Sequence, residues 1–163
     1  MQKNLRDVDH FALAGMQAIL GYEWIKGGWE KLSNADFIPG MAKTLMAFAK
    51  QNPFSAYGAW LEQIAASSAT TFGYLVAWGE SLVGVGLVAS LCLSECSDSP
   101  RAKTLARFAG VSSLLVGAFL NANFYLATSH LSPASSGLNA LMFWMQLLLA
   151  YWWAREWLSS KNA

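Results

Sequence analysis

The sequence predicts an all-α membrane protein: a four-transmembrane-helix bundle with two short amphipathic interfacial helices between the first and second spans. Three observations predict it. Hydrophobic residues make up 55% of the 163 residues and charged residues only 13%, roughly half the charged share of a typical soluble domain. Four apolar stretches are each long enough to cross about 30 Å of hydrocarbon at about 1.5 Å per helical residue. Eight Trp, nine Phe and five Tyr supply an aromatic load suited to a bilayer interface. The length fits one domain, 1–163, with a sizeable core. A net charge of +1 provides no basic field for phosphates, so nucleic acid is not an expected partner.

The first expected span covers 8–29 and ends in "GYEWIKGGWEKL", where Glu23, Lys26 and Glu30 share one helical face and can pair along it. Lys31 and Trp29 then reach the outer headgroups by snorkelling and aromatic anchoring. This stretch reads as a helix end meeting water or as the rim of an outward-facing cavity. Acidic residues precede the long apolar segment, so no cleavable signal peptide is expected. The remaining spans are expected at 67–93, 102–128 and 138–158. Each is drawn as a helix because backbone amides in lipid must bond internally.

The connection between the first two spans is too long for a simple loop. Phe37, Met41, Leu45 and Phe48 recur at helical spacing, as do Phe54, Tyr57, Leu61 and Ile64. "QNP" separates them, with Asn52 placed to cap the second piece and Pro53 at its first helical position. Both pieces are expected to lie on the membrane surface. "SECSDSPR" and "SHLSPASSG" are rich in turn formers and mark the other joints.

Basic residues set the expected orientation. Lys3, Arg6, Arg101, Lys103, Arg107, Arg155 and Lys161 fall on one side; Lys26, Lys31, Lys43 and Lys50 fall on the other. The positive-inside rule then puts both termini in the cytoplasm.

Glu80 is the most informative single residue, because it sits near the middle of the second span, where an uncompensated charge is costly. Gly73, Ala77 and Gly84 share its face, and small residues admit a neighbouring helix. Glu80 is therefore expected to point into the bundle, as a buried structural acid or as a site for a ligand or proton. Facing stripes in the first span are Ala12, Met16, Ile19, Glu23, Lys26 and Glu30, or Gln17, Gly21, Trp24 and Gly28; the third span offers Gly110, Leu114, Gly117, Asn121 and Tyr125, and the fourth Asn139, Gln146, Ala150 and Trp153. Glu23, Lys26, Asn121, Tyr125 and Gln146 are expected at similar depth, a polar layer just outward of Glu80.

His10 and His130 fall at opposite ends of the membrane and cannot share one haem. Cys92 and Cys96 lack a second pair for a zinc site and read as small apolar side chains near a helix end, or else as a redox pair or regulatory disulfide. No metal site and no covalently bound cofactor is expected.

"QAILGYEWIKGGWEKL" resembles the first helix of the DoxX/DoxD-type membrane proteins through Leu20, Gly21, Gly28, Lys31 and Leu32. "GESLVGVGL" is similar to that family's Gly-Glu motif through Gly79, Glu80, Gly84 and Leu87, and the "NPF" break and "NANFYLA" asparagines are also similar. The resemblance covers nearly the whole chain. Gln17 departs from it, standing where the family usually has arginine. The turn "SECSDSPR" is also longer than the family's.

The resemblance implies the inner (cytoplasmic) membrane of a bacterium or archaeon and two alternative functions. One is a DoxD-like subunit of a quinone-linked thiosulfate or sulfur-compound oxidoreductase. Quinone would then enter from lipid to meet Glu80, the catalytic candidate, with Tyr74 or Asn121, while an anion approaches Lys26 and Lys31. Glu23, Tyr125 and Gln146 complete the candidate set. The other is a non-catalytic accessory subunit of a larger electron-transfer or pigment–protein complex, contacting lipid, quinone and other membrane subunits. No inverted repeat is apparent, which weighs against a carrier.

Overall fold

The first apolar stretch folds as one long helix, α1 (Gln2–Ser33). The computed structural model describes residues 2–161, with side chains for residues 10–158, and every regular element among them is helical. Lys3, Arg6 and Lys161, three of the basic residues that set the expected orientation, have side chains outside the described set. α1 closes with the Ser33 hydroxyl donating to Trp29 O at 2.7 Å. Asn34 Oδ1 then accepts the Asp36 N–H, a local turn that redirects the chain.

α2 (Phe37–Ala49) tolerates Pro39 because first-turn amides have no intrahelical acceptor to lose. It buries Met41 and Leu45 and half-buries Phe37 and Phe48, the stripe read from the sequence. Gln51 adopts φ 57°, a left-handed position that reverses the chain after the helix. Asn52 is a clip rather than the expected cap. Its Nδ2 donates to Phe48 O and to Leu126 O, both at 3.0 Å, and its Oδ1 accepts the Phe54 N–H. Helix resumes only at Ser55, beyond Pro53.

The second amphipathic helix and the second expected span form one continuous helical run. α3 (Ser55–Trp60) passes through a π-turn (Leu61–Ala65) and a 3₁₀ turn (Ala66–Ser68) into α4 (Ala69–Cys96). The π-turn inserts an extra residue per turn and rotates the buried face. Leu61 and Ala65 are buried, whereas Ile64, expected on the same stripe, is 54% exposed. α5 (Pro100–Thr128) starts with Pro at its first position, which a helix start accepts. α6 (Pro133–Lys161) starts the same way, with the Ser132 hydroxyl accepting the Ser135 N–H.

Packing follows chain order. α1 lies along α4, α4 along α5 and α5 along α6, while α1 and α6 meet only briefly; α2 packs on both α4 and the π-turn. Polarity is reversed relative to a bundle in water. Gln17, Glu80, Ser90, Asn121 and Gln146 are buried. Large apolar side chains face outward: Leu75, Trp78, Leu82 and Val85 on α4, Phe108, Leu115, Val116 and Phe119 on α5, Leu141, Trp144, Leu148 and Tyr151 on α6. Leu20, Leu87, Leu114 and Leu149 form a dry layer across the centre.

Two helical runs among the described residues, Ser55–Cys96 and Pro100–Thr128, are long and apolar enough to cross a membrane. α1 and α6 have the length but are diluted by polar side chains: Gln17, Glu23 and Lys26 in one, Asn139 and Gln146 in the other.

Candidate functional site

Glycine sets how closely α1 and α4 approach. A Cβ on Gly84 would lie 2.5 Å from Ile25 N and 2.8 Å from Gly21 O, and one on Gly28 would strike the backbone of Ser81. The two helices therefore run backbone to backbone in a fixed antiparallel register. Gly21 lies beside Val88, Ile25 beside Gly84, Gly28 beside Ser81 and His10 beside Glu95.

That register delivers Lys31 to Glu80. Lys31 Nζ donates to Glu80 Oε2 at 2.7 Å and to Gly27 O at 3.3 Å. The Glu80 side chain is 4% exposed and that of Lys31 29%. Gly27 makes room for the pair, since a Cβ there would lie 3.0 Å from Oε2. Glu80 thus points inward, as its small-residue stripe predicts. An ammonium has three N–H groups, and two of them are taken here. Oε1 of Glu80 accepts no hydrogen bond from the described residues.

The pair sits on the wall of a cavity of about 680 Å³ between α2, the π-turn, α4 and α5. Phe37, Leu45, Phe48, Trp60, Phe72 and Phe124 make its walls mostly apolar. Its polar points are Lys31, Glu80, Tyr57, Thr44, Asn123, Thr128, Ser135 and Asn139. The Tyr57 hydroxyl reaches Asn123 O and Oδ1, both at 3.2 Å, tying α3 to α5. The volume falls in the range of small-molecule pockets, and an apolar lining with few polar groups is their usual chemistry.

The structure does not assemble the expected polar layer as one site. Asn121 and Gln146 meet each other, Nδ2 to Oε1 at 2.9 Å, fully buried between α5 and α6 and outside the cavity lining. Gln146 Nε2 has no partner among the described residues. Glu23 and Lys26 are exposed on the far side of α1, because Gln17, Gly21, Trp24 and Gly28 form the stripe that meets α4. Glu23, Lys26 and Glu30 form no ion pair along the helix. Tyr74 and Tyr125 are 51% and 38% exposed and do not line the cavity. Tyr57, Trp60 and Asn123, which the sequence did not single out for the site, line the cavity instead. The stripe containing Tyr57 was visible in the sequence; its position over the Glu80 wall was not.

A second, smaller cleft of about 180 Å³ lies at the opposite end, lined by His10, Gln17, Ser90, Lys103, Arg107 and Trp153 among others. Gln17, the residue in the arginine position, is buried and donates to Leu87 O at 3.0 Å and Ser90 Oγ at 2.7 Å. The buried leucine layer lies between this cleft and Glu80, and the two cavities share no lining residue. Cys92 and Cys96 are free and exposed. No cluster of metal-ligating side chains occurs among the described residues.

Comparison with protein-family models gives no match, and neither curated proteins nor solved structures give one.

Proposed function

We propose that this chain is a DoxX/DoxD-like integral membrane protein, with α1, α4, α5 and α6 as its four spans, and that its cavity holds a quinone-class ligand. The reversed polarity supports the first part: polar side chains are inside and large apolar ones outside on α4, α5 and α6. Such an arrangement is costly in water and favourable in lipid. The observation that carries the second part is one buried ion pair on the wall of an otherwise apolar cavity.

A quinone offers a flat ring with two carbonyl oxygens and a long apolar tail. The third N–H of Lys31 donates to one ring oxygen, while Glu80 holds the ammonium in place and its free Oε1 accepts from the ring hydroxyl of the reduced form. The aromatic walls of Phe72, Phe124 and Trp60 take the ring and the first part of the tail. The sulfur-compound half of the sequence expectation receives no geometric support. Lys26 faces away from the cavity and Glu80 neutralises the Lys31 charge, which favours a neutral hydrogen-bond acceptor over an anion there.

The test is to purify the full chain in mild detergent and extract it for quinone. Bound quinone is expected near one per chain, and Glu80→Gln is expected to reduce it at least tenfold with helix content unchanged. Quinone-free protein that also fails to take up an added short-tail quinone would overturn the reading.

A further inference from the structure

The helix register has a consequence at the outer surface of α1. Ile25 lies beside Gly84 and Gly28 beside Ser81, so Glu23, Lys26 and Glu30 stand level with the middle of α4. α5 is registered to the same level, with Ser113 against Gly86 and Leu120 against Gly79. There α4 shows Trp78, Leu82 and Val85 outward, and α5 shows Leu115, Val116 and Phe119. Among the described residues of these three helices, only α1 turns charge outward at that level. Glu23, Lys26 and Glu30 are exposed and are paired with nothing among the described residues.

We infer that this face of α1 is an interface inside the membrane, covered by the same face of a second copy of the chain. The inference rests on the four-span reading proposed above. Ionised side chains at mid-bilayer depth are excluded from lipid contact and pair with one another or face protein. The face carries both signs in the order acid, base, acid at helical positions 23, 26 and 30. In a two-fold pair whose axis runs along the membrane normal, the two α1 helices are level with each other. Each Lys26 then comes between Glu23 and Glu30 of the other copy, and the exchange is reciprocal, as an isologous contact requires. Toward the other end of this face, past the exposed Ile19, Ala12 and Gly15 are exposed, and a Cβ on Gly15 would meet nothing within 4 Å. Small residues there let the backbones come close. α1 also lies at the edge of the packing order, with its outward face uncovered by α5 or α6.

The experiment uses the full chain in lipid nanodiscs, with mass measured for the wild type, Lys26→Glu, Glu23→Lys and the double swap. The wild type is expected as a dimer. Each single reversal should weaken association at least tenfold, and the double swap should restore it. Gly15→Cys, in a background with Cys92→Ser and Cys96→Ser, should cross-link in native membranes to twice the chain mass. Lys26→Ala, with helix content as a folding check, separates loss of the interface from loss of the fold. A monomeric wild type without cross-linking, a dimer indifferent to Lys26→Glu, or a different protein cross-linked at position 15 would each overturn the inference. An alkaline wash of the membranes tells the two readings apart. A chain that stays embedded but monomeric removes only this interface, whereas a chain that is washed off removes the membrane reading as well.

Discussion

Lys31 Nζ and Glu80 Oε2 are 2.7 Å apart, joining the end of α1 to the middle of α4. A buried pair of this kind adds little net stability compared with a well-packed apolar pair, but breaking one half of it leaves an uncompensated charge. Lys31→Met is therefore expected to lower stability by about 3 kcal/mol, because it strands the buried Glu80 carboxylate, with Glu80→Leu costing less because the ammonium it leaves is partly exposed. The double variant should recover at least half of the sum of the two losses. Thermal unfolding in detergent of the four proteins of this cycle measures the coupling; strict additivity would mean that the pair contributes nothing.

Gly27 and Gly28 are adjacent but meet different things. A Cβ on Gly28 strikes the Ser81 backbone, which cannot move without separating the helices, whereas one on Gly27 meets the end of the Glu80 side chain at 3.0 Å. Gly28→Ala should cost about 2–3 kcal/mol, in the range of overpacked cores, and Gly27→Ala about 1 kcal/mol or less. Equal unfolding midpoints for the two variants would contradict the crossing geometry.

Much of this arrangement was legible in the sequence. Gly73, Ala77, Glu80 and Gly84 marked the buried face of α4 because small residues on one stripe have a single packing use. The long helices announced themselves by length and apolar content. α1 was harder, because it carries two plausible stripes, and periodicity defines a helix's faces without saying which one meets a neighbour. Assigning Glu23 and Lys26 to the inside followed from counting charges as polar-layer members. The glycines at 21 and 28 were the better guide, since only a backbone-close contact requires them. The π-turn at Leu61–Ala65 left no sequence mark, and it moved Ile64 outward. Tyr57 and Asn123 became neighbours through tertiary packing that spacing does not encode.

Asn121 and Gln146 test the cost of buried amides. Asn121→Leu removes the donor to Gln146 Oε1 and leaves a fully buried amide with neither end satisfied. An unpaired buried polar group costs about 1–3 kcal/mol. Asn121→Leu or Gln146→Leu alone should therefore destabilise by roughly that amount for Asn121 and by less for Gln146. The double Leu variant should be near neutral, because it removes both partners together. Unfolding midpoints in one detergent decide the order.

Val76 lines the cavity from α4 on the wall that also carries Gly79 and Glu80, yet it takes no part in the ion pair. Val76→Trp adds a large apolar side chain to a space of about 680 Å³. Because that space is open, the substitution is expected to leave stability within about 1 kcal/mol, unlike overpacking of a filled core. It should lower bound quinone at least fivefold by occupying the ring's position while the Lys31–Glu80 bond persists. Val85→Trp, on the outward face of the same helix, adds the same bulk away from the cavity and should leave quinone content unchanged. Quinone content after extraction, measured beside the unfolding midpoint of each variant, separates the outcomes. Equal loss in both would trace the effect to helix bulk, and no loss in Val76→Trp would move the ligand out of this cavity.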